Sequence, residues 1–461
     1  MNKYMNRCLF LILFCFQAQL FPAAAQVLSM ESAVEATINH YPTLAAQRSA
    51  LEAFRANVQV LRDNRLPNVR LHDQINLGTA NGLSGSYFSM GLIVPTSGGR
   101  RPDNSMSLAS GNIALATTDW EVYNFGRFHA ENKLAEADIA VGESGLEREQ
   151  FALRQVVINT YLDLVWLRQN LKIEQQNLAR VDTVRRIINN LVQNGIRPGL
   201  DSSLASVELS RAKLSYYQMQ EEYRRASVQL ATLTGREIDD VQIDTTFNAA
   251  LLMGEPAPSN VLASHPLLNY RNRLLTRQNA EIDMIRKSAL PRISVLASVW
   301  GRGTSLDIDN NFGPIGQGFG YSRTNFLLGV AATVNLTDFK RVKTRAVQQQ
   351  WRVREAGSLL TVEQVQLQNT LTMADSVMAT IRLALDELPV TLRSATLAYQ
   401  QRMSLYNNGI ENILGITESL QLLTRVEKQV IDVQRRAVAV RLQKAYATSD
   451  FGPFFDLFRR Q

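Results

Sequence analysis

A chain that repeats its own landmarks must build one structural unit twice, and over its 461 residues this chain does. "HYPTL" at 40–44 is answered by "SHPLL" at 264–268, which sets Pro266 against Pro42 at an offset of 224. A Leu-Pro follows each 25 residues later, at Pro67 and Pro291. Further on, "VYNFGR" at 122–127 is answered by "LTDFKR" at 336–341, and Gly195 by Gly409, both at an offset of 214. Arg127 to Gly195 and Arg341 to Gly409 are each 68 residues. The ten-residue change falls between Pro67 and Phe125, where the first copy has the longer loop.

Within each copy the hydrophobic period changes. Leu44, Leu51, Phe54, Val58 and Leu61 form a helical stripe, with Leu268, Leu275, Ile282 and Ile285 as its counterpart. After the Leu-Pro the period becomes two. Val69, Leu71, Ile75 and Leu77 alternate with Arg70, His72, Gln74 and Asn76; Ile293, Val295, Ala297 and Val299 alternate with Ser294 and Ser298. Gly-rich stretches at 80–104 and 301–323 lead into a second alternating run in each copy. Phe326, Leu328, Val330, Ala332, Val334 and Leu336 mark the cleaner one, while the run at 106–122 is less regular and suggests a bulge. Strands are therefore expected at about 67–79, 106–122, 291–300 and 325–337.

Long helices follow. Residues 146–194, 200–234 and 416–451 contain neither Gly nor Pro, and the stripe from Ile416 through Leu420, Leu423 and Val426 to Val440 has coiled-coil spacing. A helix of 68 residues spans roughly 100 Å, far more than a compact domain needs. Pro389 lies inside the second long helix, where a kink or a working hinge is expected.

The first 25 residues read as a secretory signal peptide, with Lys3 and Arg7 before the apolar "CLFLILFCF" and Ala23-Ala24-Ala25 before Gln26. Both cysteines, Cys8 and Cys15, fall in this segment, so no disulfide is expected in the mature chain. The net charge of +7 is spread among acids rather than clustered, which argues against nucleic acid as a partner. No later apolar run reaches the length of a transmembrane helix. His40, His72, His129 and His265 have no metal-like spacing, and no nucleophile elbow or phosphate loop appears. Neither an enzyme nor a cofactor is expected; His40 and His265 are repeat-related and read as structural.

Strands of this length, apolar on one face and polar on the other, suit a membrane β-barrel, although a soluble sheet on a core alternates identically. Trp120, Tyr123, Phe125, Trp300 and Tyr321 are the aromatics of a membrane interface. Four strands cannot close a barrel, so spanning strands would require an oligomer of eight strands in two chains or twelve in three.

With its "HYPTL"/"SHPLL" starts, Leu-Pro strand entries, "WEVYNFGR" with its echo "LTDFKR" and paired glycine turns, the chain resembles the outer-membrane efflux protein (TolC) family. The resemblance covers residues 26–461 and implies a mainly α protein with membrane β, a homotrimer sharing a 12-stranded barrel and an α-helical tunnel. It implies a passive exit duct for tripartite efflux or type I secretion, set in outer-membrane lipid of a Gram-negative cell with a long periplasmic extension. A periplasmic adaptor and an inner-membrane pump, of RND or ABC type, would be its partners. The divisions that follow are a first repeat at 26–235, an equatorial segment at 236–264, a second repeat at 265–449 and a tail at 450–461.

The hairpin tips, 193–201 and 407–415, would then dock the adaptor through Gly195, Ile196, Gly409 and Ile410. Family members often carry a ring of acids just inside the second tip. Of the matching positions, Gly415 and Glu418, one is acidic, and the first tip offers Asp201. The resemblance thus implies an entrance gated by Glu418 and Asp201, weaker in charge and wider at Gly415; by itself, Asp201 also reads as a helix N-cap. The alternative architecture is a periplasmic coiled-coil adaptor or structural protein without a pore.

Overall fold

The computed structural model describes residues 27–82, 101–238, 242–254, 261 and 264–459. The signal-peptide assignment and both cysteines lie outside them, as do 83–100 in the first loop and part of 236–264. The elements are α1 (Met30–His40), α2 (Pro42–Asp63), β1 (Asn68–Thr79), β2 (Leu108–Tyr123), α3 (Arg127–Gln193), α4 (Gly199–Thr234), α5 (Pro266–Lys287), β3 (Arg292–Thr304), β4 (Arg323–Thr333), α6 (Asp338–Asn407) and α7 (Ile413–Thr448). A 3-10 helix at Ile315–Phe319 and one-turn helices at Ala250–Met253 and Gly452–Phe455 complete them. No described helix is long and apolar enough to cross a membrane.

Two compact units emerge: residues 51–141 with 273–357, which hold the sheet, and residues up to 50 with 142–272 and 358 onward, which hold the hairpins. The duplication is expressed in each. Pro42 and Pro266 open α2 and α5, where a missing N–H costs nothing. Pro67 and Pro291 precede β1 and β3: each disfavours helical backbone at the leucine before it, so α2 and α5 have ended and a strand can follow.

All four strands join one antiparallel sheet in the order β1-β2-β3-β4, so the two copies meet at β2–β3. Its register gathers the apolar sides of three strands on one face. Leu71 pairs with Ala116, Ala116 with Val299, and Val299 with Phe326; the next row is Val69, Thr118, Ala297 and Leu328. The opposite face carries Arg70, Thr117, Ser298 and Leu327 in one row and Gln74, Ile113, Arg302 and Arg323 in another. Leu71 and Phe326 are each 82% exposed, so the middle of this apolar face packs on no core, while toward the loop end Ser110 and Asn112 on the same face are buried and donate to the Ile315 and Phe319 carbonyls. The outer edges of β1 and β4 have no partner strand among the described residues.

The strand ends depart from the sequence reading. β3 runs on to Thr304, and β4 stops at Thr333 because Asn335 Oδ1 accepts the Thr337 N–H (3.2 Å) in a turn that starts α6. In β2 the expected irregularity is present as a register shift between Glu121 and Tyr123. "VYNFGR" leaves β2 through left-handed Phe125 and Gly126 (φ 51° and 95°), a device its echo "LTDFKR" does not use. Pro389 does not break α6, which stays helical across it. Pro389 and Leu385, whose carbonyl the proline cannot bond, line a cavity of about 280 Å³ together with Leu388, Leu392 and Val430.

The core of the hairpin unit centres on Tyr161, whose hydroxyl donates to the Leu28 carbonyl (2.8 Å) and accepts the Asp244 N–H (3.1 Å). The aromatic tail joins this core: Phe451, Phe454 and Leu457 are buried, and Phe151 stacks edge-on against Phe451. His265 is fully buried there, held between the Tyr446 carbonyl (Nε2, 3.0 Å) and the Leu267 N–H (Nδ1, 3.2 Å); the 224-residue register sets Tyr41 opposite it, and His40, one residue earlier, is exposed.

Candidate functional site at the hairpin tips

A polar ladder sets the register of α3 against α7 and so decides where the tips fall. Lys428 pairs with the buried carboxylate of Glu174, Thr424 donates to Asn177 Oδ1 (3.0 Å), and Arg180 holds both oxygens of Glu427 (2.7 and 3.0 Å). Below it, Val184, Ile188, Ala205, Tyr406, Ile413 and Ile416 form a small separate core that joins the ends of both hairpins.

Each long helix ends in the same way. Gly195 N–H bonds the Val192 carbonyl (3.0 Å) and Ile196 N–H the Leu191 carbonyl (2.9 Å); Gly409 and Ile410 repeat this with Tyr406 and Leu405 (2.9 Å each). This is the Schellman motif, which needs a left-handed residue, and the glycines have φ 74° and 79°. Nothing lies within 4 Å of where a Cβ would stand on either, so conformation rather than packing requires glycine. Ile196 and Ile410 project from the turns, 63% and 74% exposed.

The tips are tied together by Arg197, which donates to the Glu411 carbonyl (2.7 Å) and stands over the Tyr406 ring at 4.9 Å. Tyr406 is buried, and its hydroxyl has no hydrogen-bond partner among the described residues. Burial raises its pKa, the Asp201 carboxylate raises it further, and the Arg197 guanidinium opposes both. Asp201 is not the N-cap of α4: Pro198 takes that place, and Asp201 sits in the first turn, where the helix dipole favours an anion. Asp201 is thereby brought to the Tyr406 side of the tip.

Glu418 lies on α7, one turn after Gly415, and faces Arg402 of α6, with Nη1 3.6 Å from Oε2. The same Nη1 is 3.8 Å from Glu411 Oε2. Within the chain, the space beside Gly415 is taken up by these two side chains. A Cβ there would lie 2.5 Å from Arg402 Nη1 and 2.6 Å from Glu411 Cδ, so the arginine and the glutamate fill the space. Asn412 caps α7, accepting the Gly415 N–H at 2.9 Å. Arg197, Arg402, Tyr406 and Glu411 were not singled out from sequence, and the glycine standing where an acid was expected was the one signal that another group occupies its place.

Residues 33–236 match the family model described as outer membrane efflux protein. Among curated relatives, the pyoverdine export outer membrane protein OpmQ of Pseudomonas aeruginosa is 22% identical over 186 residues, 40% of this chain. That match spans 39% of the relative's own length. Among solved structures, the outer-membrane channel OprN aligns over 92% of this chain and 90% of its own with TM-score 0.70 at 18% identity. The outer membrane protein VceC of Vibrio cholerae aligns over 91% and 95% with TM-score 0.70 at 14% identity. The fold of nearly the whole chain is thus that of outer-membrane channels.

Proposed function

We propose, from an outer membrane efflux protein domain in residues 33–236 and a channel fold over nearly the whole chain, that this protein is one subunit of a homotrimeric outer-membrane exit duct. One observation carries the reading: a four-stranded sheet with an apolar face exposed at its middle and two edges open among the described residues. In lipid the apolar face is solvated, but unpaired backbone groups at a sheet edge are not tolerated. Edge-to-edge joining of three copies would satisfy them and make twelve strands, with the Arg70 and Gln74 face inside.

The hairpins support an oligomer independently. On α4, Leu200, Val207, Leu214 and Val228 fall at multiples of seven and are 48–68% exposed; on α6, Leu383, Val390 and Leu397 do likewise at 49–68%. Two exposed heptad stripes in one subunit are two halves of a coiled-coil contact awaiting a neighbour.

In this reading the duct is passive. The tips, with Gly195, Ile196, Gly409 and Ile410, meet a periplasmic adaptor that links to an inner-membrane pump of RND or ABC type, and Asp201 and Glu418 lie at the entrance. The matched relative named for pyoverdine export makes a small exported molecule the reasonable cargo class.

The test is the mass and conductance of detergent-extracted protein. A trimer that resists a high-salt membrane wash and gives defined steps in a planar bilayer is expected, with Leu214→Glu reducing the trimer. A monomer released by the wash would overturn the duct in favour of a soluble periplasmic coiled-coil protein.

A further inference from the structure

We propose that Arg402 sets the ion preference of the entrance, as a built-in counter-charge to Glu411 and Glu418 in the space that Gly415 leaves open. The proposal rests on the duct reading, which it deepens. Arg402 Nη1 stands between the two carboxylates, at 3.8 and 3.6 Å. Residue 415 has no side chain, and the arginine and glutamate ends occupy the room one would take: a Cβ there would lie 2.5 Å from Nη1 and 2.6 Å from the Glu411 carboxyl carbon. Glycine at 415 thus both removes one acid from the entrance and admits a cation. Across both tips, Arg197 and Arg402 stand against Asp201, Glu411 and Glu418, which leaves one uncompensated carboxylate per chain.

A ring of three such carboxylates attracts cations weakly, and a ring from which the arginines were removed would attract them strongly, because symmetry repeats every charge around one axis. Arg402 is 41% and Glu418 75% exposed, so the pairing acts on ions in the entrance more than on stability.

The experiment measures reversal potentials of the purified protein in planar bilayers under a KCl gradient, with terbium ion binding to the same detergent-solubilised trimer followed by calorimetry. Arg402→Gln is expected to raise the cation-to-anion permeability ratio several-fold and to tighten terbium binding about tenfold. Both effects should vanish in Arg402→Gln/Glu418→Gln. Gly415→Ala should shift selectivity the same way as Arg402→Gln, because the atoms its methyl meets are the movable ends of flexible side chains. Conducting channels whose permeability ratio and terbium affinity ignore Arg402→Gln would overturn the proposal and leave the duct standing. Absence of conductance in folded trimers that still gain terbium binding would overturn the duct and keep the charge pairing. Absence of both would overturn both.

Discussion

Tyr321 Oη donates a 3.1 Å hydrogen bond to Asp73 Oδ1, which links the loop before β4 in the second copy to the first strand of the first copy. Asp73 pairs with Ala114, Ala114 with Gly301 and Gly301 with Thr324, so the tyrosine crosses a row of small residues on the apolar face. Its ring lies 3.3 Å from where a Gly301 Cβ would stand. Asp73 is the one ionisable side chain on the apolar side of β1, and the tyrosine hydroxyl bonds it while both stay exposed. Tyr321→Phe keeps the ring and removes the bond; we expect a loss of about 1–2 kcal/mol, read as a lower temperature of oligomer dissociation. Asp73→Asn retains an acceptor and should cost less.

Gly195→Ala and Gly409→Ala each force a side chain into left-handed backbone. About 1–2 kcal/mol per site is expected, measured by thermal unfolding of the helical signal. Asn at either position should recover part of the loss. Since a Cβ would contact nothing at either turn, equal losses at both would identify backbone strain as the cause.

Glu174 is 1% exposed, and Lys428 is the cation that pairs with it. Lys428→Met leaves a buried carboxylate uncompensated, at a cost approaching about 3–5 kcal/mol for a fully buried pair and less here because Lys428 is 41% exposed. Lys428→Met/Glu174→Leu should be more stable than Lys428→Met alone. Denaturation midpoints of the two variants decide it; a double variant no better than the single one would remove the ladder's assigned role.

His265 is buried as the neutral ring, and burial lowers its pKa below the ordinary 6.5, against weaker opposing contributions from the Tyr446 carbonyl and Glu363. The unfolded chain therefore takes up the proton first. Stability from this site is present above pH 6.5 and falls as pH drops from there toward the lowered folded value. The melting temperature of His265→Gln should show a flatter pH dependence over that window than the unsubstituted protein.

Much of this molecule could be read from its sequence because its signals are local and duplicated. Pro42 and Pro266 restrict the backbone wherever they occur, and Leu-Pro at 66–67 and 290–291 marks a strand entry by sterics alone. A two-residue period declares a strand, and a Gly after an unbroken helical run declares its end. β4 ends earlier than its alternation does, because apolar alternation continues through Val334 and Leu336 after the pairing has stopped.

The sequence by itself determined the repeat, the element types, the glycine turns and the two-faced character of the strands, since each follows from residues adjacent in the chain. Only the tertiary structure decided that β2 pairs with β3, which puts the apolar faces of both copies on one side of one sheet. It alone placed Tyr321 on Asp73, Arg197 on Glu411 and Arg402 between Glu411 and Glu418. The reason is physical: an ion pair or an aromatic contact has no period in sequence, and it exists only once the packing of helices and the register of strands bring distant side chains within a few ångströms.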